Sequence, residues 1–311
     1  MIRSSLYVAE TPGPRVLILG AVHGDETCGT KALERIQTLF ESGTWTLICG
    51  QLQVIPVCNP GAYKAGVRYL ERNLNRYLVP QNVPTTYEAR LGNILCPWLA
   101  ACDTLLDLHS YDVVGGPPFL FLESGSAANR SLAQSLGITT AVTGWADAYA
   151  ASGRAKPSNS ESTDESTGTT EYARRFGARA CTLECGHHAD PHAPEVAFRA
   201  ARSLLIAEGL LPPEVAANDP PLTPEPFRLV RVTRVVDQET PLGVFAKPWN
   251  HLDPIQKGEV LATRGDGTTI CAPEDGFIIL PKATAAPGDE WFYVGIETGL
   301  TTRNDPLHER S

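Results

Sequence analysis

No two cysteines of this chain are spaced as Cys-x-x-Cys, so neither a structural metal knuckle nor a dithiol redox motif has support. No apolar run is long enough to span a bilayer, and Met1–Val8 holds no long apolar stretch of the signal-peptide kind. There is no stripe of lysine and arginine interleaved with aromatics. The formal charge is −9, from 26 basic and 35 acidic side chains, which argues against a nucleic-acid-binding surface. No internal repeat is found. The eight cysteines mostly sit in apolar patterns of a long chain, so buried free thiols in a reducing compartment are expected rather than disulfides. The expected location is the cytoplasm, with no membrane and no nucleic acid as partners.

What is present is an ordinary globular composition, 42% apolar and 20% charged, over 311 residues, comfortable for two domains. The first two-thirds alternates short apolar runs with amphipathic segments. Strands are predicted at 15–19, 53–58, 104–108, 119–122, 138–142 and 180–183, with Pro56 hinting at an edge position or an irregularity. Helices are predicted from near Glu26 onward, over 87–101, around 131–136 and over 195–205. Interleaved strands and helices imply an α/β fold, a mixed, largely parallel sheet flanked by helices. Residues 152–170 are polar and read as a long loop, with substrate gating and a plain solvated loop both open. Proline-rich 212–226 reads as a linker between a unit at 1–211 and a small all-β domain at 227–311.

The candidate chemistry lies just beyond the predicted strands, where ligands of such sheets gather. His23 and Glu26 follow the first run, and His109 ends Leu106-Asp107-Leu108-His109. Two imidazoles and one carboxylate are a common protein ligand set for catalytic zinc, with one position left for water. For the pair at 23 and 26 alone, a helix-capping carboxylate beside an incidental histidine competes. His109 makes the ligand reading the better one. Strand alternation puts Asp107 on the same side as His109, either supporting that imidazole or capping a nearby helix. Glu184, in Leu183-Glu184-Cys185-Gly186, ends another apolar run. A carboxylate there is costly unless paired, metal-bound or chemically required, so it is the candidate base. Residues 59–76 are polar, basic and poorly periodic, and arginine forks in such a stretch suit carboxylates and oxyanions.

In combination, Gly-x-x-His-Gly-Asp-Glu (20–26), Asn-Pro-x-Ala (59–62) followed by Arg-Tyr (68–69) and Asn-Leu-Asn-Arg (73–76), Asp-Leu-His (107–109) and Leu-Glu-Cys-Gly (183–186) resemble the succinylglutamate desuccinylase/aspartoacylase family. The resemblance covers nearly the whole chain and implies a zinc carboxypeptidase-like fold with a β domain that caps the site. It implies His23, Glu26 and His109 as ligands of one Zn2+ per chain, and Glu184 as general base and then acid. It further implies Arg68 polarising the scissile carbonyl, Asn75 and Arg76 holding a substrate carboxylate, and Arg174 at the spacing of a further substrate-binding arginine. The chain departs from aspartoacylases at Asn73, where they carry Asp, and offers no match for their late substrate-contacting tyrosine.

The expected activity is hydrolysis of the amide bond of a small anionic N-acyl amino acid. A metallocarboxypeptidase acting on a peptide or γ-glutamyl chain is the nearest alternative. A carrier-like binding module is the alternative from another class, suggested by biotinyl/lipoyl-like hairpins around 257–262 and 272–278. Neither hairpin turn carries the lysine that attachment requires. His187, His188, Asp190 and His192 form a competing metal cluster, read as a loop bordering the pocket. By analogy with relatives, a homodimer is the expected assembly.

Overall fold

The computed structural model describes residues 1–113, 115–122, 127–152, 167–217 and 227–298. Most of the predicted loop at 152–170, namely 153–166, lies outside the described residues, as does 218–226 of the predicted linker.

In chain order the elements are β1 (Ser5–Val8), β2 (Arg15–Gly20), α1 (Cys28–Glu41), β3 (Gln51–Ile55), α2 (Pro60–Ala65), α3 (Tyr87–Ala101), β4 (Thr104–Tyr111), β5 (Phe119–Phe121), α4 (Ala127–Ser135), β6 (Thr140–Thr143), α5 (Trp145–Ala151), α6 (Thr169–Arg175), β7 (Arg179–His187) and α7 (Ala193–Ala207). There follow β8 (Arg228–Asp237), β9 (Val244–Phe245), β10 (Pro254–Ile255), β11 (Val260–Thr263), β12 (Thr269–Cys271), β13 (Gly276–Ile279) and β14 (Glu290–Thr298). Among the described residues the main sheet has the order β1-β3-β2-β4-β7-β5-β6-β8-β14-β13-β10, and β12-β11-β9 make a separate small sheet. The main sheet is mixed: β3, β2, β4 and β7 are parallel, whereas β5 runs antiparallel to β7.

Helices cover both faces because the inner strands are apolar on both. Val16 and Ile18 of β2, with Leu106 and Leu108 of β4, pack in one cluster with Leu33 and Ile36 of α1 and Leu204 of α7. The alternate residues Leu17, Leu19 and Leu105 pack with Leu91, Leu95 and Leu99 of α3 and Ala173 of α6. Each large side chain buried this way stabilises the fold by about 1.5–3 kcal/mol. The same alternation carries polar residues. Cys181, Leu183 and Cys185 of β7 join the α1/α7 cluster, while Ala180 joins the α3/α6 cluster. Thr182 and Glu184 share that second face with Asp107 and His109 of β4.

Two expectations need correction. The strand at 51–55 is internal, paired with β1 and β2, and Pro56 lies just beyond its end rather than marking an edge. The first helix starts at Cys28, leaving Glu26 in the loop before it. The chain from β8 onward is built of strands, as expected: β12-β11-β9 make its separate small sheet, while β8, pairing parallel with β6, joins β14, β13 and β10 to the main sheet. No helix of the described residues is long and apolar enough to cross a membrane.

Candidate metal centre

Register brings the predicted residues to one edge. Gly20, the last residue of β2, lies opposite Leu108, and His109 of β4 lies opposite Glu184 of β7. The chain leaving β2 turns sharply. Ala21 adopts φ +44°, a left-handed conformation that non-glycine residues seldom take. Gly24 packs so closely on the Ala62–Tyr63 backbone that a Cβ there would collide with it. The tight loop returns Glu26 to the strand edge, where its backbone N–H donates to the His23 carbonyl.

The three candidate ligands then converge. Glu26 is buried between the imidazoles, its Oε1 2.8 Å from His23 Nδ1 and its Oε2 2.7 Å from His109 Nδ1. The N–H of Ser110 donates to Oε2 at 3.1 Å, and Arg68 Nη1 donates to Oε1 at 2.7 Å. Both imidazoles turn Nδ1 toward Glu26 and carry Nε2 on the outer side. His23 Nε2 lies 3.0 Å from Asn73 Oδ1, and His109 Nε2 lies 2.9 Å from Asp107 Oδ2. The Thr169 hydroxyl at the start of α6 donates to that same Asp107 oxygen. An acceptor behind the non-ligating nitrogen is the usual support of a metal-binding histidine. Among the described residues, His23, Glu26 and His109 are the one group of three whose ligand atoms gather, all within 4.8 Å of one another. The donor set, with an oxygen within 3.0 Å of each Nε2, fits a divalent cation such as zinc. His187, His188, Asp190 and His192 do not gather; His188 Nδ1 instead bonds the Ser110 hydroxyl at 2.8 Å.

The electrostatics of the cluster are those of tightly opposed charges. Burial works against a charged Glu26, yet His23 and His109 hold its carboxyl well below the ordinary range. Burial also works against a charged His109, but Asp107 and Glu26 push it well above an ordinary imidazole. His23, backed by a neutral amide, is lowered by burial. Glu184 is half-buried, with Oε2 closed from solvent and without a hydrogen-bond partner. Burial, with Glu26 nearby, pushes its carboxyl up to about 8. It is a carboxylate with a raised proton affinity and nothing structural bonded to that oxygen.

The remaining predicted residues divide. Asn75 lies beside α6, its Oδ1 accepting from the N–H of Thr169 at 2.9 Å, and Arg76 is exposed, bonded to the Asn75 carbonyl at 2.8 Å. Arg174 is placed elsewhere. Its guanidinium bonds Glu171 at 2.9 Å and the Ala180 carbonyl at 3.1 Å, four residues before Glu184 on β7. Asn73 was not among the predicted site residues, although it stands inside a quoted motif. α2 was also missed, despite the Asn59 side chain capping it, Pro60 in its first turn and left-handed Gly66 after it.

The model of the succinylglutamate desuccinylase/aspartoacylase catalytic domain matches residues 12–204. Succinylglutamate desuccinylases from Burkholderia orbicola and Burkholderia thailandensis are each 26% identical, over 296 and 304 residues. Those matches cover 88% and 92% of this chain and 78% and 81% of the relatives. The product-bound structure of the ectoine utilization protein EutE (DoeB) from Ruegeria pomeroyi has a TM-score of 0.71 at 21% identity, covering 94% of this chain and 88% of that one. A succinylglutamate desuccinylase/aspartoacylase structure from Rhodobacter sphaeroides has a TM-score of 0.70 at 19% identity, covering 93% and 87%. These two show the fold alone. The chain belongs to the succinylglutamate desuccinylase/aspartoacylase family.

Proposed function

We propose that this member of the family is a zinc-dependent amidohydrolase that cleaves a small anionic N-acyl amino acid to a carboxylate and a free amino acid. One observation carries the reading: His23 and His109 turn Nδ1 toward Glu26, with Asn73 Oδ1 3.0 Å from one Nε2 and Asp107 Oδ2 2.9 Å from the other, beside an unbonded Glu184 oxygen. Zinc held by His23, Glu26 and His109 would supply a Lewis acid for the amide carbonyl and lower the pKa of water toward neutrality.

The chain's own residues do the rest. Glu184 takes a proton from the attacking water and returns it to the departing amine nitrogen, so one carboxylate serves as base and then acid. Arg68 turns its N–H fork to the amide oxygen as negative charge grows there. Asn75 and Arg76 hold the anionic end of the substrate. Arg174 serves as a brace between α6 and β7 rather than as a substrate contact. The residues from 227 onward cap the site and limit substrate size. A homodimer is the assembly proposed, by analogy with relatives, and the cytoplasm is the location proposed, from eight cysteines that are all free.

The test is a panel on zinc-loaded protein: N-succinyl and N-acetyl amino acids, the same compounds with each carboxylate amidated, and γ-glutamyl and ordinary peptides. The reading predicts hydrolysis of the anionic N-acyl amino acids, with the neutral forms poorer by on the order of 10²-fold or more. Cleavage confined to peptides would favour the carboxypeptidase alternative. No cleavage of any compound would overturn the hydrolase reading.

A further inference from the structure

We infer that Glu88 is a positioning residue that sets the loop carrying Arg68 and Asn73 against the metal cluster; its catalytic consequence rests on the function proposed above. Glu88 lies in the first turn of α3, where an acidic side chain ordinarily serves its own helix. Here it does not. Its carboxylate is buried, at 2% exposure, and its bonds come from outside the helix. Oε1 accepts from the N–H of Leu70 at 2.8 Å and from Asn59 Nδ2 at 3.3 Å. Oε2 accepts from the N–H groups of Glu71 at 3.2 Å and Arg72 at 3.1 Å.

Three successive backbone N–H groups thus close on one carboxylate, a concave arrangement that binds anions. Residues 70–72 belong to no helix or strand, so no ladder holds them. The clamped triplet is flanked by two residues that reach the cluster. Arg68 bonds Glu26, and Asn73 bonds His23 Nε2. The ring closes through the backbone: the Gly24 N–H donates to the Arg68 carbonyl at 3.1 Å, and the Asn59 N–H donates to the Ala21 carbonyl at 2.9 Å. Glu88 therefore ties together the loop after β2, the start of α2 and the segment 68–73. Every contact that the loop makes with His23 and Glu26 depends on where this buried carboxylate holds it.

The test is Glu88→Gln, which keeps the shape but replaces one acceptor oxygen with an NH2 that faces backbone donors. Hydrogen exchange of the Leu70, Glu71 and Arg72 amides should accelerate by at least about tenfold while β4 amides keep their rates. Turnover of the substrate found in the panel should fall by about 10- to 100-fold, with kcat lowered and KM raised, because displacement by about 1 Å is enough for such a loss. A folded Glu88→Gln protein with the parent kcat and KM would overturn the inference, whether or not exchange rises elsewhere. The parent chain provides an arm independent of how the variant folds. Its Leu70, Glu71 and Arg72 amides should exchange as slowly as strand amides, and exchange at exposed-loop rates would overturn the inference too. Exchange needs no substrate, so failure of this clamp is distinguishable from failure of the hydrolase reading.

Discussion

The candidate metal site has two sides that are built differently. On the strand side, His109 and Glu184 stand in equal register on neighbouring parallel strands, and every residue of β4 is buried. Ladder hydrogen bonds and packing on both faces set their positions. On the loop side, His23, Arg68 and Asn73 sit on irregular backbone, and residues 70–72 between Arg68 and Asn73 are held by side chain–backbone bonds that a single substitution removes. The two imidazoles differ in the same sense: His109 is backed by the Asp107 carboxylate, itself fixed by Thr169, and His23 by the neutral amide of Asn73. A charged acceptor raises the basicity of the ring it holds more than a neutral one does. The strand side supplies rigid placement, while the loop side supplies groups that can be tuned.

The largest effect is expected on the strand side. Glu184→Gln should lower kcat by roughly 10²–10⁴-fold with zinc still bound, measured by steady-state kinetics alongside metal analysis. Parent-like turnover would remove Glu184 from the chemistry. On the loop side, Arg68→Ala should cost about 10²–10³-fold in kcat, the scale of a lost oxyanion donor. If it costs nothing, the contact with Glu26 is all that Arg68 does.

The two rings can be compared directly by exchanging their backing. Asp107→Asn should weaken zinc binding by about 10–100-fold in a chelator competition. Asn73→Asp, which gives His23 the kind of partner His109 has, should tighten binding by up to about tenfold. Equal affinities for both variants and the parent would erase the distinction.

The smallest effect concerns stability in chelator-treated protein. The Glu184 carboxyl is raised from an ordinary 4.5 to about 8, chiefly by burial. The folded chain therefore holds this proton more tightly than the unfolded chain does. The stability it contributes is complete below about 4.5 and is lost as pH rises through about 8. Glu184→Gln lacks this loss, so its Tm should gain on the parent as pH rises across that window. A constant Tm difference would contradict the raised proton affinity.

The strand side was legible in the sequence and the loop side much less so. Alternation within Thr104–Tyr111 is enough to put Asp107 and His109 together, and Leu183 before Glu184 marks the end of an apolar run. The segment around Arg68 has no period to read, because its conformation follows from bonds to Glu88, eighteen residues beyond Leu70. Glu88 itself looks like any acidic residue in a first helical turn. α6 was hidden for a related reason: seven residues with only Tyr172 and Ala173 buried among the apolar ones give too short a stripe to separate from the polar segment before it. Spacing alone singles out Arg174 as a substrate contact. Ten residues before Glu184 in sequence, it is turned to Glu171 and Ala180.

The most direct measurement is a zinc titration of chelator-stripped protein, following hydrolysis of an N-acyl amino acid from the panel. The rate should climb in proportion to bound zinc and level off at one equivalent per chain, with His109→Ala neither retaining the ion nor gaining activity. A rate indifferent to zinc, or a His109→Ala chain that still binds one equivalent tightly, would contradict the zinc-dependent reading.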